Sequence, residues 1–218
     1  MEPLAPGTIF QGRYEILAKL GEGGFGQVYH ARQLVTRQEV AIKVLRALHA
    51  TNESHIARFQ REMQLCAQLY HPNIVRLIDS GQAEPDLLYT VFEYVPGKTL
   101  TDLLATEGAL PPWEAAHLML QVLDALACAH KKGDIHRDLK PQNIMVTTTG
   151  VRRNALVLDF GLGTLPSEDQ EELARITRTR EVLGTPTYAA PEQLRGEPVK
   201  EGADLYSWGL IFLECLTG

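Results

Sequence analysis

Eight consecutive residues, His136-Arg137-Asp138-Leu139-Lys140-Pro141-Gln142-Asn143, put a carboxylate, an ammonium and a carboxamide within reach of one another, and a second carboxylate opens Asp159-Phe160-Gly161 downstream. A carboxylate such as Asp138 can orient an attacking hydroxyl and accept its proton late. Lys140 can meet the charge of a transferring phosphate, and the oxygens of Asn143 and Asp159 suit magnesium. A loop aspartate is ordinarily a turn former. Its spacing to Lys140 and Asn143 argues instead for phosphoryl-transfer chemistry, in which geometry matters more than basicity.

A second group lies upstream. Gly21-Glu22-Gly23-Gly24-Phe25-Gly26-Gln27-Val28 has glycines where backbone must approach a phosphate without obstruction. Dinucleotide folds share such a pattern, but there the last glycine leads into a helix, whereas here Val28-Tyr29-His30-Ala31 continues as strand. An ordinary glycine-rich hairpin is the alternative. Lys43 ends a buried-looking strand, Val40-Ala41-Ile42-Lys43-Val44, where an ammonium without a counter-ion is costly. Nucleotide phosphates are one anion that would serve, and Glu62 another.

The elements that must hold these groups change character along the chain. From Tyr14 to Phe92 apolar residues recur in short alternating or β-branched runs, which predicts a small sheet. Ile56, Phe59, Met63, Cys66 and Leu69 break that pattern with helical spacing and predict one amphipathic helix. After Pro96-Gly97 the pattern is helical, first over residues 100–105, then from Pro112 to a stop at Gly133. The expected domains are an N-terminal extension (1–13), a first lobe (14–92), a hinge (93–97) and a second lobe (98–218), with ligand expected in the crevice between lobes.

With these residues in place, the chain resembles eukaryotic-type (Hanks-type) serine/threonine protein kinases, bacterial members in particular, from about Tyr14 to its last residue. The resemblance implies an α+β, bilobal protein-kinase-like fold: an antiparallel N-lobe sheet with one main helix, and a mostly helical C-lobe that lacks its last helices. It implies ATP as phosphoryl donor, Mg2+ or alternatively Mn2+ as metal, and transfer to Ser/Thr hydroxyls of protein substrates. Asp138, Lys140, Lys43, Glu62 and Thr185 are the implied catalytic set, with Lys43 and Glu62 as the strand–helix ion pair and Asn143 and Asp159 as metal ligands.

By the same resemblance Gly21, Gly23, Gly24, Phe25, Gly26, Val28, Ala41, Lys43, Phe92, Glu93, Val95 and Met145 bind ATP. Val28 and Ala41 cover the adenine from above and Met145 from below. Glu93 and Val95 offer hinge backbone, and Phe92 closes the rear of the pocket. Cys66, Leu77, His136 and Phe160 would stack as the family's internal spine. Asp204 would anchor the catalytic-loop backbone, though a plain N-cap aspartate would look the same.

The polar stretch before Ala190-Pro191-Glu192 is expected to be an activation loop, with Thr177 and Thr179 as candidate phosphosites facing Arg137. Thr185, in Gly184-Thr185-Pro186, would contact Asp138 and Lys140 from the docking segment. The sixteen-residue separation of Asn143 and Asp159 is longer than the family pattern, and an extended hairpin would absorb the excess.

Net charge is −6, from 27 acidic and 21 basic residues with no long basic run, so nucleic acid and anionic membrane are disfavoured partners. The three cysteines, Cys66, Cys128 and Cys215, lie far apart, which fits reduced thiols in a cytoplasmic protein. No signal peptide or membrane span is read in this segment. The chain is expected to be the front part of a longer multidomain protein that phosphorylates itself and, by analogy with bacterial members, forms a homodimer. Two rivals are a catalytically silent pseudokinase that binds partners and a small-molecule phosphotransferase of the same fold. The intact Lys43, Glu62, Asp138, Asn143 and Asp159 argue against the first, and Thr185 with Pro191-Glu192 against the second.

Overall fold

The computed structural model describes residues 3–23, 26–45, 53–83, 87–160 and 187–218. Gly24, Phe25, Gly161, Thr177, Thr179 and Thr185 lie outside the described residues. The described residues form two compact units, one from residues 3–67 and 76–94, the other from 68–75, 95–160 and 187–218.

The first unit is an antiparallel sheet of six strands in the order β1-β2-β3-β4-β6-β5. Its strands are β1 (Ile9–Phe10), β2 (Tyr14–Gly23), β3 (Gly26–Gln33), β4 (Glu39–Leu45), β5 (Leu77–Ala83) and β6 (Leu87–Glu93). Because side chains alternate across a strand, the register decides which residues share a face. Val28 pairs with Lys43 and His30 with Ala41, while Lys43 pairs with Thr90 and Ala41 with Phe92. Val28, Ala41, Lys43 and Phe92 therefore stand on one face. Tyr29, Ile42, Val44, Tyr89 and Val91 point the other way, into a core shared with Phe10, Tyr14 and Ile16.

Helix α1 (Glu53–Cys66) belongs to this unit, and its Phe59, Met63 and Cys66 are buried, as their helical spacing predicts. Ile56 is only half-buried, and Leu69, buried, lies beyond the helix end.

The second unit pairs a three-stranded sheet, β7 (Lys98–Thr99), β8 (Ile144–Thr149) and β9 (Arg152–Val157), with helices. Helix α2 (Leu100–Glu107) starts at Thr99, whose hydroxyl accepts the Asp102 N–H at 3.1 Å. It runs two residues beyond the expected end because Gly108, at φ 71°, is what terminates it.

Helix α3 (Pro112–His130) opens on proline and buries Leu118, Met119, Val122, Ala125, Leu126 and Ala129 along one stripe. It packs on β9 and on α5 (Glu201–Thr217). Between them in sequence is the short helix α4 (Pro191–Leu194). The expected long hairpin is present, pairing Ile144 with Val157 through Thr149 with Arg152. Among the described residues no helix is long and apolar enough to cross a membrane.

Candidate active site

Helix α3 gives way at Gly133, φ 76°, to a loop that ends in the single 3-10 turn Pro141–Asn143 and the start of β8. Its backbone is held from beneath by Asp204 in the first turn of α5, with only 1% of that residue exposed. The carboxylate accepts the N–H of His136 at 2.9 Å and of Arg137 at 2.9 Å, and His130 Nε2 at 2.7 Å. Burial by itself pushes this carboxyl up. The hydrogen bond from His130, the neighbouring His136 and the two backbone N–H groups outweigh it and hold Asp204 below the ordinary carboxylate range. Asp204 is not the helix N-cap, a position taken by Lys200.

His136 is buried and its tautomer follows from its partners. Nε2 lies 2.8 Å from the Leu158 carbonyl, which can only accept, so Nε2 carries the proton. The lone pair of Nδ1 is then free to accept the Asp138 N–H at 3.3 Å. Phe160 meets the imidazole edge-on with centroids 4.9 Å apart.

The loop thereby presents Asp138, whose carboxylate meets Lys140 Nζ at 2.9 Å with both side chains about a third exposed. Asn143 Nδ2 donates to the Asp138 carbonyl at 2.8 Å and to its carboxylate at 3.4 Å. With Nδ2 so engaged, Oδ1 is the Asn143 atom left for a cation. The Asn143 carbonyl accepts the N–H of Leu158 at 2.9 Å, which brings Asp159 alongside. Asp159 is half-buried at φ 60°. The Asn143 carboxamide oxygen and the Asp159 carboxylate are oxygen donors of the kind that fit Mg2+ or Mn2+.

Strand β9, which leads to Asp159, is fixed from its other edge. Val75 N–H donates to the Val157 carbonyl at 3.0 Å and Val157 N–H to the Asn73 carbonyl at 2.8 Å. Gln121 of α3 accepts both Asn73 Nδ2 at 2.9 Å and the Ala155 N–H at 3.0 Å.

The segment after residue 186 is tied to α5. Tyr188 donates to Glu214 at 2.5 Å, and Ser207 Oγ donates to the Tyr188 carbonyl at 2.7 Å. Burial first, then the bond to Glu214, push the Tyr188 phenol up.

Of the residues expected from sequence, Asp138, Lys140, Asn143 and Asp159 are thus brought together in the second unit. Met145 stands next to them on β8, opposite Thr99. Val95 is half-buried in that unit. In the first unit Lys43 is 8% exposed and Glu62 is half-buried on α1. Gly21, Gly23 and Gly26 lie on the β2–β3 hairpin, with Gly23 paired to Gly26. Phe92 is buried, and the Glu93 N–H donates to the Arg76 carbonyl at 3.0 Å.

Sequence reasoning missed His130 and Gln193, both bonded to the loop apparatus. His130 belongs to no local pattern that would have flagged it, and for Gln193 the only local signal is its place three residues into α4, where its Oε1 caps the Ala190 N–H.

Residues 14–218 match the protein kinase domain family. The chain is 42% identical over 212 residues, 97% of its length, to the serine/threonine-protein kinase PrkC of Bacillus subtilis, and covers 31% of that protein. It is 42% identical over 209 residues, 94% of its length, to the serine/threonine-protein kinase PknB of Mycobacterium leprae, and covers 32% of it. It spans about a third of the length of these curated relatives. Among solved structures, the PknI kinase domain of Mycobacterium tuberculosis superposes with a TM-score of 0.77 at 30% identity, covering 98% of this chain and 77% of that one.

Proposed function

Since nearly its whole length matches that domain, the chain belongs to the protein kinase family, and we propose that it transfers the γ-phosphoryl group of ATP to serine and threonine hydroxyls of proteins. The observation that carries the reading is the Asp138 carboxylate, 2.9 Å from Lys140 Nζ, in a loop whose backbone is locked to a buried carboxylate. Asp138 receives the hydrogen bond of the attacking hydroxyl, aligns its oxygen with phosphorus, and takes the proton as the new P–O bond forms and the bond to the departing ADP breaks. Lys140, already beside Asp138, faces the charge of the moving group.

The nucleotide with its divalent cation supplies the phosphoryl group and neutralises its charge. Asn143 and Asp159 would hold the cation, and Lys43 with Glu62 the phosphates. Gly21, Gly23, Gly24, Phe25 and Gly26 would cover those phosphates, while Val28, Ala41, Met145, Phe92, Glu93 and Val95 would receive the base. The common sheet face of Val28, Ala41, Lys43 and Phe92 supports their share in this set. Thr185 as a docking contact and Thr177 and Thr179 as sites of activating autophosphorylation complete the reading. The lengths of the relatives support a larger, multidomain protein, and the same reading makes it a signalling protein that phosphorylates protein substrates in the cytoplasm.

The test is incorporation of labelled γ-phosphate into a protein substrate by wild type and by Asp138→Asn. Turnover should fall at least a hundredfold in the variant with nucleotide affinity retained. Equal incorporation by the two would refute the assignment.

A further inference from the structure

Gln193, in α4, uses both ends of its carboxamide. Nε2 donates to the Arg137 carbonyl at 2.7 Å, and Oε1 accepts the Ala190 N–H at 3.0 Å. The partners fix the orientation of the amide. A flip would set oxygen against a carbonyl and NH2 against an N–H.

Arg137 is the residue this bond reaches, and it is a non-glycine residue at φ 65°. Such a conformation persists only where its surroundings over-determine it. Its N–H is taken by Asp204 at 2.9 Å and its carbonyl by Gln193 at 2.7 Å, so both peptide planes flanking the residue are pinned. The second of those planes contains the amide nitrogen of Asp138, whose N–H reaches His136 Nδ1 at 3.3 Å. Its orientation sets the direction in which the Asp138 side chain leaves the backbone. Ala190, at the other end of the Gln193 bridge, immediately precedes Pro191-Glu192 in the segment expected to dock the substrate.

We propose that Gln193 is a positioning residue: it ties the docking segment at Ala190 to the peptide that aims Asp138, so that the two are held in one geometry. The inference rests on the kinase reading above, with Asp138 as the base.

The test compares wild type, Asp138→Asn, Gln193→Met and Gln193→Glu in the full-length protein. Turnover is measured at saturating peptide and ATP and divided by the number of nucleotide-binding sites found by titration, which removes any unfolded fraction. Gln193→Met keeps the length of the side chain and loses both bonds. Gln193→Glu keeps an acceptor for the Ala190 N–H but sets a carboxylate oxygen against the Arg137 carbonyl.

Turnover per site should drop at least tenfold in both, with the ATP dissociation constant within twofold of wild type. Should Gln193→Met bind no nucleotide, Gln193→Glu decides alone. Turnover per site within twofold of wild type, or a loss confined to the peptide KM, overturns the role of Gln193. Incorporation by wild type that Asp138→Asn abolishes leaves the kinase reading standing in that event. Equal turnover by Asp138→Asn sinks both.

Discussion

Replacing Asp204 by asparagine removes an acceptor from a site where neither oxygen is spare. Oδ2 takes the His136 N–H at 2.9 Å and His130 Nε2 at 2.7 Å, while Oδ1 takes the Arg137 N–H at 2.9 Å. The best an asparagine can do is set its one oxygen at the Oδ2 position, keep two bonds, and turn its NH2 toward the Arg137 N–H. One charge-assisted bond is lost, two donors face each other, and the two surviving bonds lose their ionic character. A hydrogen bond to a charged group contributes about 1.5–3 kcal/mol net, and an orphaned buried donor costs about 1–3. At 1% exposure, water does not repair the loss. The two costs together put the expected destabilisation at about 2.5–6 kcal/mol, against about 0.5 for a typical exposed substitution.

The pH dependence has a definite sign. Asp204 is held below the ordinary carboxylate range in the folded chain, so its contribution is complete above the unfolded value, about 4, and disappears as pH falls through the folded value. Asparagine has no such step. The stability gap between wild type and Asp204→Asn should be full at pH 7 and narrow below pH about 4. Urea unfolding followed by tryptophan fluorescence reads it, since both tryptophans, Trp113 and Trp208, lie in the second unit and Trp208 Nε1 bonds the Met119 carbonyl at 2.8 Å. A gap under about 0.5 kcal/mol at pH 7, or one that acid leaves unchanged, refutes the reasoning.

Two further changes test other parts of the molecule. In Gly26→Ala the new Cβ would lie 2.0 Å from the Val44 carbonyl oxygen, at a residue of φ +142°, so the β3–β4 ladder must shift; a loss of about 2–4 kcal/mol is expected in thermal unfolding, with a raised KM for ATP, and an unchanged melt would contradict it. Burial pushes the Cys215 thiol up to about 11, whereas Cys128 is half-buried; alkylation at pH 8 followed by peptide mass mapping should label Cys128 first and Cys215 slower by on the order of 100-fold, and equal rates would count against the packing of α5.

The alternation of Val40-Ala41-Ile42-Lys43-Val44 was enough to put Ile42 and Val44 on one side and Ala41 and Lys43 on the other. Which strands those faces adjoin depends on register, and the pairings that unite Val28, Lys43 and Thr90 join residues far apart in sequence. Helix α1 was legible from its stripe because burial of Phe59, Met63 and Cys66 follows the helical period alone. Element ends were less so. Strand β9 closes at Val157, a residue before the apolar run ends, because its partner in the next register position, Asn143, belongs to the 3-10 turn, although the Leu158 N–H still bonds the Asn143 carbonyl. The loop group Asp138, Lys140 and Asn143 was readable since its members are near neighbours in sequence. The partners of Asp204 were only half readable: His130 is 74 residues away and looks, in sequence, like any basic residue at a helix C-terminus. Gln193 reaches across 56 residues to a carbonyl, and main-chain acceptors carry no sequence signature.

What makes a site built on loops precise here is that its supports converge on one helix. On α5, Asp204 holds the loop backbone, Ser207 the Tyr188 carbonyl and Glu214 the Tyr188 hydroxyl, while Trp208 binds α3. Asp204, Ser207, Ile211 and Cys215 recur at helical spacing and are all buried, so the polar anchors share the stripe that packs the helix in place. The positive φ values of Arg137 and Asp159 each cost about 1–2 kcal/mol relative to the ordinary regions. Those costs are offset by bonds to α5, to α4 and between Asn143 and Leu158, none of which forms locally within the loop's own sequence. The loop conformation is therefore conditional on α3 and α5 being packed. Any change that loosens that pair must blunt the geometry around Asp138 before it disturbs the six-stranded sheet of the first unit.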